Sequence, residues 1–124
     1  MKIHHLALRT RDLVRLRAFY ADTLGLATAK EDGERSVWLS AGDAIVMLER
    51  ADESEPPVPE RTRELVAFAI EPEETSDLEA RLARRGVPIE ARTEFTLYFR
   101  DPDGRRVGAS HYPRPAAPSR NVRS

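Results

Sequence analysis

The chain has no cysteine. Disulfides, thiolate metal sites and a cysteine nucleophile are therefore excluded. It has no apolar run long enough to span a bilayer and no stretch with the layout of a secretory signal, so a cytoplasmic protein is expected. It also lacks an excess of charge of either sign. Twenty basic and 21 acidic residues leave a formal net charge of −1, which makes nucleic acid and anionic membranes unexpected partners. Aromatic residues are sparse at 6%. What is present is ordinary soluble-protein material, 40% hydrophobic and 33% charged in 124 residues. That is one domain by size, long enough to bury a core.

The second half of the chain repeats the first, weakly but in order. His5-Leu6-Ala7-Leu8 returns as Leu65-Val66-Ala67-Phe68, Gly25-Leu26 as Gly86-Val87, Val37-Trp38-Leu39 as Leu97-Tyr98-Phe99, and Gly42 as Gly104. A nearly constant offset across four landmarks implies two copies of one supersecondary unit that stack to share a core. The expected organisation is a single domain over 1–124, with module one at 1–50, a linker at 51–62, module two at 63–113 and a loose tail at 114–124.

Alternation predicts a strand over Lys2–Arg9, with Leu6 and Leu8 on one face and His5 and Ala7 on the other. Asp12 is placed to cap a helix reaching Leu24, whose apolar stripe is Leu13, Leu16, Phe19, Tyr20 and Leu24, and Gly25 ends it. Strands follow near Leu26–Lys30, Ser36–Ser40 and Ala44–Glu49. The segment Ala51–Thr62, rich in proline and acid, has no periodicity and reads as an extended linker. The pattern then restarts with a strand over Leu65–Ile70, a helix capped by Thr75 or Ser76 and stopped by Gly86, and strands near Val87–Arg92, Phe95–Arg100 and Arg106–Tyr112. Asp101-Pro102-Asp103-Gly104 is the turn between the last two. Each copy reads βαβββ. The expected fold is α+β, two βαβββ modules forming a half-open mixed-sheet barrel with a central cavity, since one helix covers only one face of each sheet.

The opening IHHLALRTRDLVRLRAFYADTLGL and the closing TLYFRDPDGRRVGASHYP resemble the vicinal oxygen chelate superfamily. That group includes glyoxalase I, methylmalonyl-CoA epimerase, fosfomycin-resistance enzymes, extradiol dioxygenases and bleomycin-resistance proteins. The resemblance implies a divalent metal held by a first-strand His and a last-strand Glu from each copy, leaving positions open for two substrate oxygens. Those places fall here on His5, on Met47 (with Glu49 two residues on), on Leu65 and on Gly108. Leu65 and Gly108 have no donor side chain. The resemblance therefore implies a protein with an eroded metal site and no expected cofactor. It would bind a small metabolite or antibiotic between the modules, as metal-free bleomycin-resistance proteins do. The alternative is a metal-dependent lyase, isomerase or dioxygenase using a residual site at His5 and Glu49. A third reading, a structural or regulatory interaction module, would fill the cavity with side chains.

Parity on paired strands predicts that His5, Met47, Glu49, Leu65, Ala67, Gly108, Ser110 and Tyr112 face the ligand. His5 is a ligand contact, general base or residual metal ligand, or else a cavity histidine satisfied by a neighbour. Glu49 could orient His5, or could be an exposed strand end. Gly108 leaves room for a ligand or marks a bulge, while Ser110 and Tyr112 could bond a polar group. His4 and His111 fall on opposite faces from these. Trp38 and Tyr98, related by the repeat, are more often core than ligand platform at such positions. Arg100 could pair an anionic ligand, but a surface ion pair is the expected role. Exposed sheet edges and apolar inner faces suggest a homodimer. The donor set yields a first test: protein purified without added metal should contain no stoichiometric zinc, iron, nickel or manganese by elemental analysis. One equivalent of any of them would contradict it.

Overall fold

The computed structural model describes residues 1–115. The expected loose tail lies mostly outside them. The first module consists of β1 (His5–Thr10), α1 (Leu13–Arg17) continued by a π-helical stretch (Ala18–Thr23), β2 (Ala27–Asp32), β3 (Ser36–Ala41) and β4 (Ala44–Arg50). The second consists of β5 (Leu65–Ala69), a 3-10 turn (Pro72–Glu74), α2 (Thr75–Arg84), β6 (Ala91–Arg92), β7 (Thr96–Arg100) and β8 (Arg106–Ser110). The sheets run β1-β4-β3-β2 and β5-β8-β7-β6. In each, the first strand pairs parallel with the last and the other pairs are antiparallel. The α+β class and the half-open pair of βαβββ modules are as expected.

Local differences have local causes. Asp12 caps α1, its carboxylate accepting from the Arg15 N–H at 3.0 Å. The helix does not run on regularly to Leu24. The Leu24 N–H reaches back five residues to the Phe19 carbonyl at 3.0 Å, and this widened turn points the neighbouring Phe19 and Tyr20 both into the core. The second helix is approached at Pro72, not at Thr75 or Ser76. Proline suits a first helical turn, and the Glu71 N–H donates to the Glu74 carboxylate at 2.7 Å. The strand expected over Val87–Arg92 shrinks to Ala91–Arg92. The Val87 N–H is taken by the Leu82 carbonyl, and Pro88 has none to give. Val87 and Ile89 pack against the core instead. Elsewhere the strand ends move by one to three residues, β1 starting at His5 and β8 closing at Ser110.

Both modules share one core, on the helix-bearing side of each sheet. Leu8, Leu39 and Leu48 of the first sheet and Leu97, Phe99 and Val107 of the second close around Leu16, Tyr20 and Leu82. Phe19 lies 6.1 Å from Phe99 and Tyr20 lies 6.3 Å from Phe68, ring centre to ring centre. The opposite face of each sheet stays open, as the alternating burial of β1 and β5 records.

A buried polar clasp fastens the modules. The Tyr20 hydroxyl donates to Asp101 Oδ2 at 2.7 Å, from α1's continuation to the turn between β7 and β8. Asp101 also accepts from the N–H groups of Asp103 (2.9 Å) and Arg105 (3.0 Å) and from the Arg105 guanidinium (3.2 Å). Burial, and then the Asp101 charge, push the Tyr20 phenol far above its ordinary range, so it stays a neutral donor. Tyr20→Phe removes a hydrogen bond to a charged acceptor without leaving a large hole. It should cost about 1.5–3 kcal/mol in denaturant unfolding with the m-value unchanged. A loss under about 0.5 kcal/mol would show that the clasp does not contribute to joining the modules.

Candidate functional site

The open face of the second sheet carries a hollow of about 550 Å³. Four of the residues expected to face a ligand line it: Leu65 and Ala67 from β5, Ser110 from the end of β8, and Tyr112 just beyond. The strand ladder explains their meeting, because Ala67 and Tyr98 lie on either side of Gly108. Gly108 is buried in the ladder between two of the lining residues and is not itself one of them. A Cβ there would stand 3.4 Å from the Ala67 Cβ and 3.5 Å from Leu65 Cδ1, so a longer side chain at this place would press on two residues that line the hollow.

The remaining lining residues are Thr93, Glu94, Phe95, Thr96 and Tyr98, none of them counted among the expected ligand contacts. Thr96 sits directly across from Ser110, and their hydroxyls are 2.7 Å apart. One hydroxyl must donate to the other, which leaves one O–H of the pair free to donate elsewhere. Ser110 also accepts from the Tyr112 N–H at 3.1 Å. Phe95 precedes β7, where the Thr93 hydroxyl accepts from the N–H groups of Phe95 and Thr96 at 3.2 and 3.1 Å. Phe95 stands edge-on to Tyr112, with ring centres 5.1 Å apart. Tyr98 is on the open face and not in the core, and the Arg106 guanidinium lies 4.3 Å from its ring centre. Trp38 is likewise opposite Met47 on the first sheet's open face, with the Lys30 ammonium 5.1 Å from its ring. Both aromatics thus depart from the core placement expected of them. A cation beside each ring makes a half-exposed position tolerable. Arg100 pairs with Glu90 at 2.8 Å, as expected of a surface ion pair.

His5, Met47 and Glu49 share the open face of the first sheet. The ladder matches His5 with Ile45 as it matches Leu65 with Arg106, so Met47 and Gly108 hold equivalent places. Glu49 is one row further on, opposite Arg9, and accepts from its guanidinium at 3.1 Å. His5 and Glu49 are four positions apart along parallel strands, about 13 Å at the usual rise. His5 is exposed, with Nδ1 2.9 Å from the Nδ1 of His4. The two rings meet, although parity would separate them, because His4 precedes β1 and is not bound by its pleat.

A second hollow, about 420 Å³, lies along Ala7–Arg11, with Pro56–Pro59 as its far wall and Asp103 and Arg105 at one end. The linker is thus not loose. Arg9 donates to both Glu55 carboxylate oxygens, at 3.0 and 2.6 Å. Arg11 bonds the carbonyl oxygens of Glu53 and Glu55. His5, Met47, Glu49 and Gly108, all expected to face the ligand, line neither hollow.

The family-derived metal positions do not fit a metal within this chain. They are His5, Met47, Leu65 and Gly108, which supply one nitrogen donor, one thioether and two places with no ligating side chain. Among the described residues, no three His, Asp or Glu side chains gather closely enough to hold an ion. No helix among them is long and apolar enough to cross a membrane.

Two βαβββ modules, each with one helix-covered and one open face, define the class. The model of the Glyoxalase/Bleomycin resistance protein/Dioxygenase superfamily matches residues 2–108, and the chain belongs to that family. No curated protein matches. Among solved structures, the chain is similar to the fosfomycin resistance protein FosX from Mesorhizobium loti, at 18% identity over 90% of this chain and 92% of that one, TM-score 0.75. It is also similar to a lactoylglutathione lyase from Agrobacterium tumefaciens, at 22% identity over 88% and 92%, TM-score 0.68. A FosX from Listeria monocytogenes, complexed with Mn(II) and 1S,2S-dihydroxypropylphosphonic acid, matches at 22% identity over 90% and 89%, TM-score 0.73. These likenesses are of fold.

The linker strap generates a pH prediction. The Arg9 guanidinium, and then the Asp52 N–H, hold the Glu55 carboxyl down at about 2, against an ordinary 4.5. A depressed carboxyl contributes stability that is present above 4.5 and lost as pH falls toward 2. Glu55→Gln should therefore flatten the melting-temperature profile between pH 4.5 and 2.5, and should speed proteolysis of 52–59 at neutral pH. Unchanged profiles in both assays would show that the strap is not held by this pair.

Proposed function

We propose that this protein binds a small amphipathic molecule, a metabolite or antibiotic, on the open face of its second sheet, and does so without a tightly held metal. The observation that carries the reading is Gly108. The place where a metal-using relative would carry a carboxylate is here a glycine, set beside Leu65, Ala67 and Tyr98, which wall an apolar hollow. The hollow combines apolar and aromatic walls with one hydroxyl donor from the Thr96–Ser110 pair and the Tyr112 phenol. A few convergent polar groups in an apolar concavity orient a ligand while burial supplies affinity.

The donor set weighs against the metal-dependent lyase, isomerase or dioxygenase reading. His5 and Glu49 are too far apart to share an ion, and Glu49 already accepts from Arg9. We also propose a homodimer. Leu65 and Tyr112 stay exposed at 42% and 65%, and β1 and β5 each end a sheet. The first-module face of a second copy would close the hollow and bring His5, Met47 and Glu49 to the same ligand.

Gly108→Val tests the site. Valine suits a strand, and its methyl groups would press on Leu65 and Ala67, which line the hollow. In a thermal-shift screen of small metabolites and antibiotics, compounds that stabilise the native protein should lose that effect in the variant. The variant's own melting temperature should stay within a few degrees. Ligand shifts that survive Gly108→Val would place binding elsewhere.

A further inference from the structure

The charge around the second-sheet hollow is distributed unevenly. Arg106 lies against Tyr98 and pairs with Glu90 at 3.2 Å. Arg100 pairs with the same Glu90 and donates to the carbonyls of Thr62 and Gly104. Arg92 pairs with Glu79 at 2.8 Å. These three arginines, on β6, β7 and β8, are therefore engaged, and no arginine is among the residues that line the hollow. Glu94 is the one charged residue that does, and among the described residues it has no ion pair. Beside it stand three aromatic side chains, Phe95, Tyr98 and Tyr112. Their negative ring faces attract a cation and repel an anion. Arg106 over Tyr98 shows that a cation already settles on one of these rings.

We propose that the hollow selects organic cations: a primary or quaternary ammonium carried on an apolar or aromatic body, with Glu94 as the specificity-determining carboxylate. The inference rests on the second-sheet hollow being the ligand site and adds the class of ligand it takes. The ammonium lies between Glu94 and the aromatic rings, and the apolar body covers Leu65, Ala67 and Gly108. A neutral hydroxyl or carbonyl on the ligand would meet the free O–H of the Thr96–Ser110 pair. Phosphonates and carboxylates find no unengaged guanidinium in the lining, so the hollow is built against them. Glu94 is exposed, so the preference is moderate and screened by salt.

Three probes with one shared body separate the possibilities: 2-phenylethylamine as its ammonium, 2-phenylethanol, and phenylacetate. Each is titrated into the full-length protein at pH 7 and low salt, following amide shifts of residues 93–98 and 108–112. The ammonium should bind roughly three- to tenfold more tightly than the alcohol, and the carboxylate most weakly. The advantage should fall at higher salt and vanish in Glu94→Gln, while affinity for the alcohol stays unchanged. Equal binding of ammonium and alcohol, or a preference that survives Glu94→Gln, would overturn the inference while leaving the site itself intact. If none of the three probes shifts these residues at millimolar concentration, the site assignment fails, and the inference with it.

Discussion

A four-stranded sheet has two faces, and one helix can cover only one of them. That shortfall shapes the whole molecule. Neither module can bury itself, so each turns its helix-bearing face toward the other, and Leu16, Tyr20, Leu82 and Phe99 become a common core. The opposite faces remain open. They carry alternating, half-exposed side chains that a solitary sheet would be expected to make polar. In the second sheet they are instead Leu65, Ala67, Gly108 and Tyr98, a surface suited to a ligand or a neighbouring chain. The core on one side holds the fold and leaves the other side open.

The two sides are coupled by a few polar contacts. Tyr20 and Asp101 tie the first module's helix to the turn that joins β7 and β8. That turn aligns β7 with β8, so Thr96 faces Ser110 and Tyr98 faces Gly108. Arg105 continues the chain of contacts by donating to both Asp101 and the Arg9 carbonyl. Arg9 in turn holds the linker at Glu55. The linker is thereby fixed to β1 at Glu55, and Arg100 of β7 holds its far end by donating to the Thr62 carbonyl.

Much of this was legible in the residues. The repeat revealed both modules, and parity set Leu65, Ala67, Gly108 and Ser110 on one face, because the pleat is strict inside a strand. Parity failed where strands stop. Thr93, Glu94 and Phe95 lie in the turn before β7, and His4 lies before β1, so no alternation governs them. Thr96 and Tyr98 could have been found from their ladder partners Ser110 and Gly108 once the hairpin register was known. The π-helical turn at Ala18–Thr23 and the pinned linker were not legible. The first depends on two adjacent aromatics both seeking the core. The second depends on Arg9 meeting Glu55, 46 residues away, for which no local pattern exists.

The central claim is that the open face of the second sheet is the ligand site. A crystal structure of the protein with a stabilising small molecule tests it most directly. The account predicts density seated on Gly108 between Leu65 and Tyr98, within hydrogen-bond reach of Ser110, and no metal beside His5. A ligand lodged between Ala7 and Pro57, or a metal coordinated by His5 with the ligand bound to it, would contradict it.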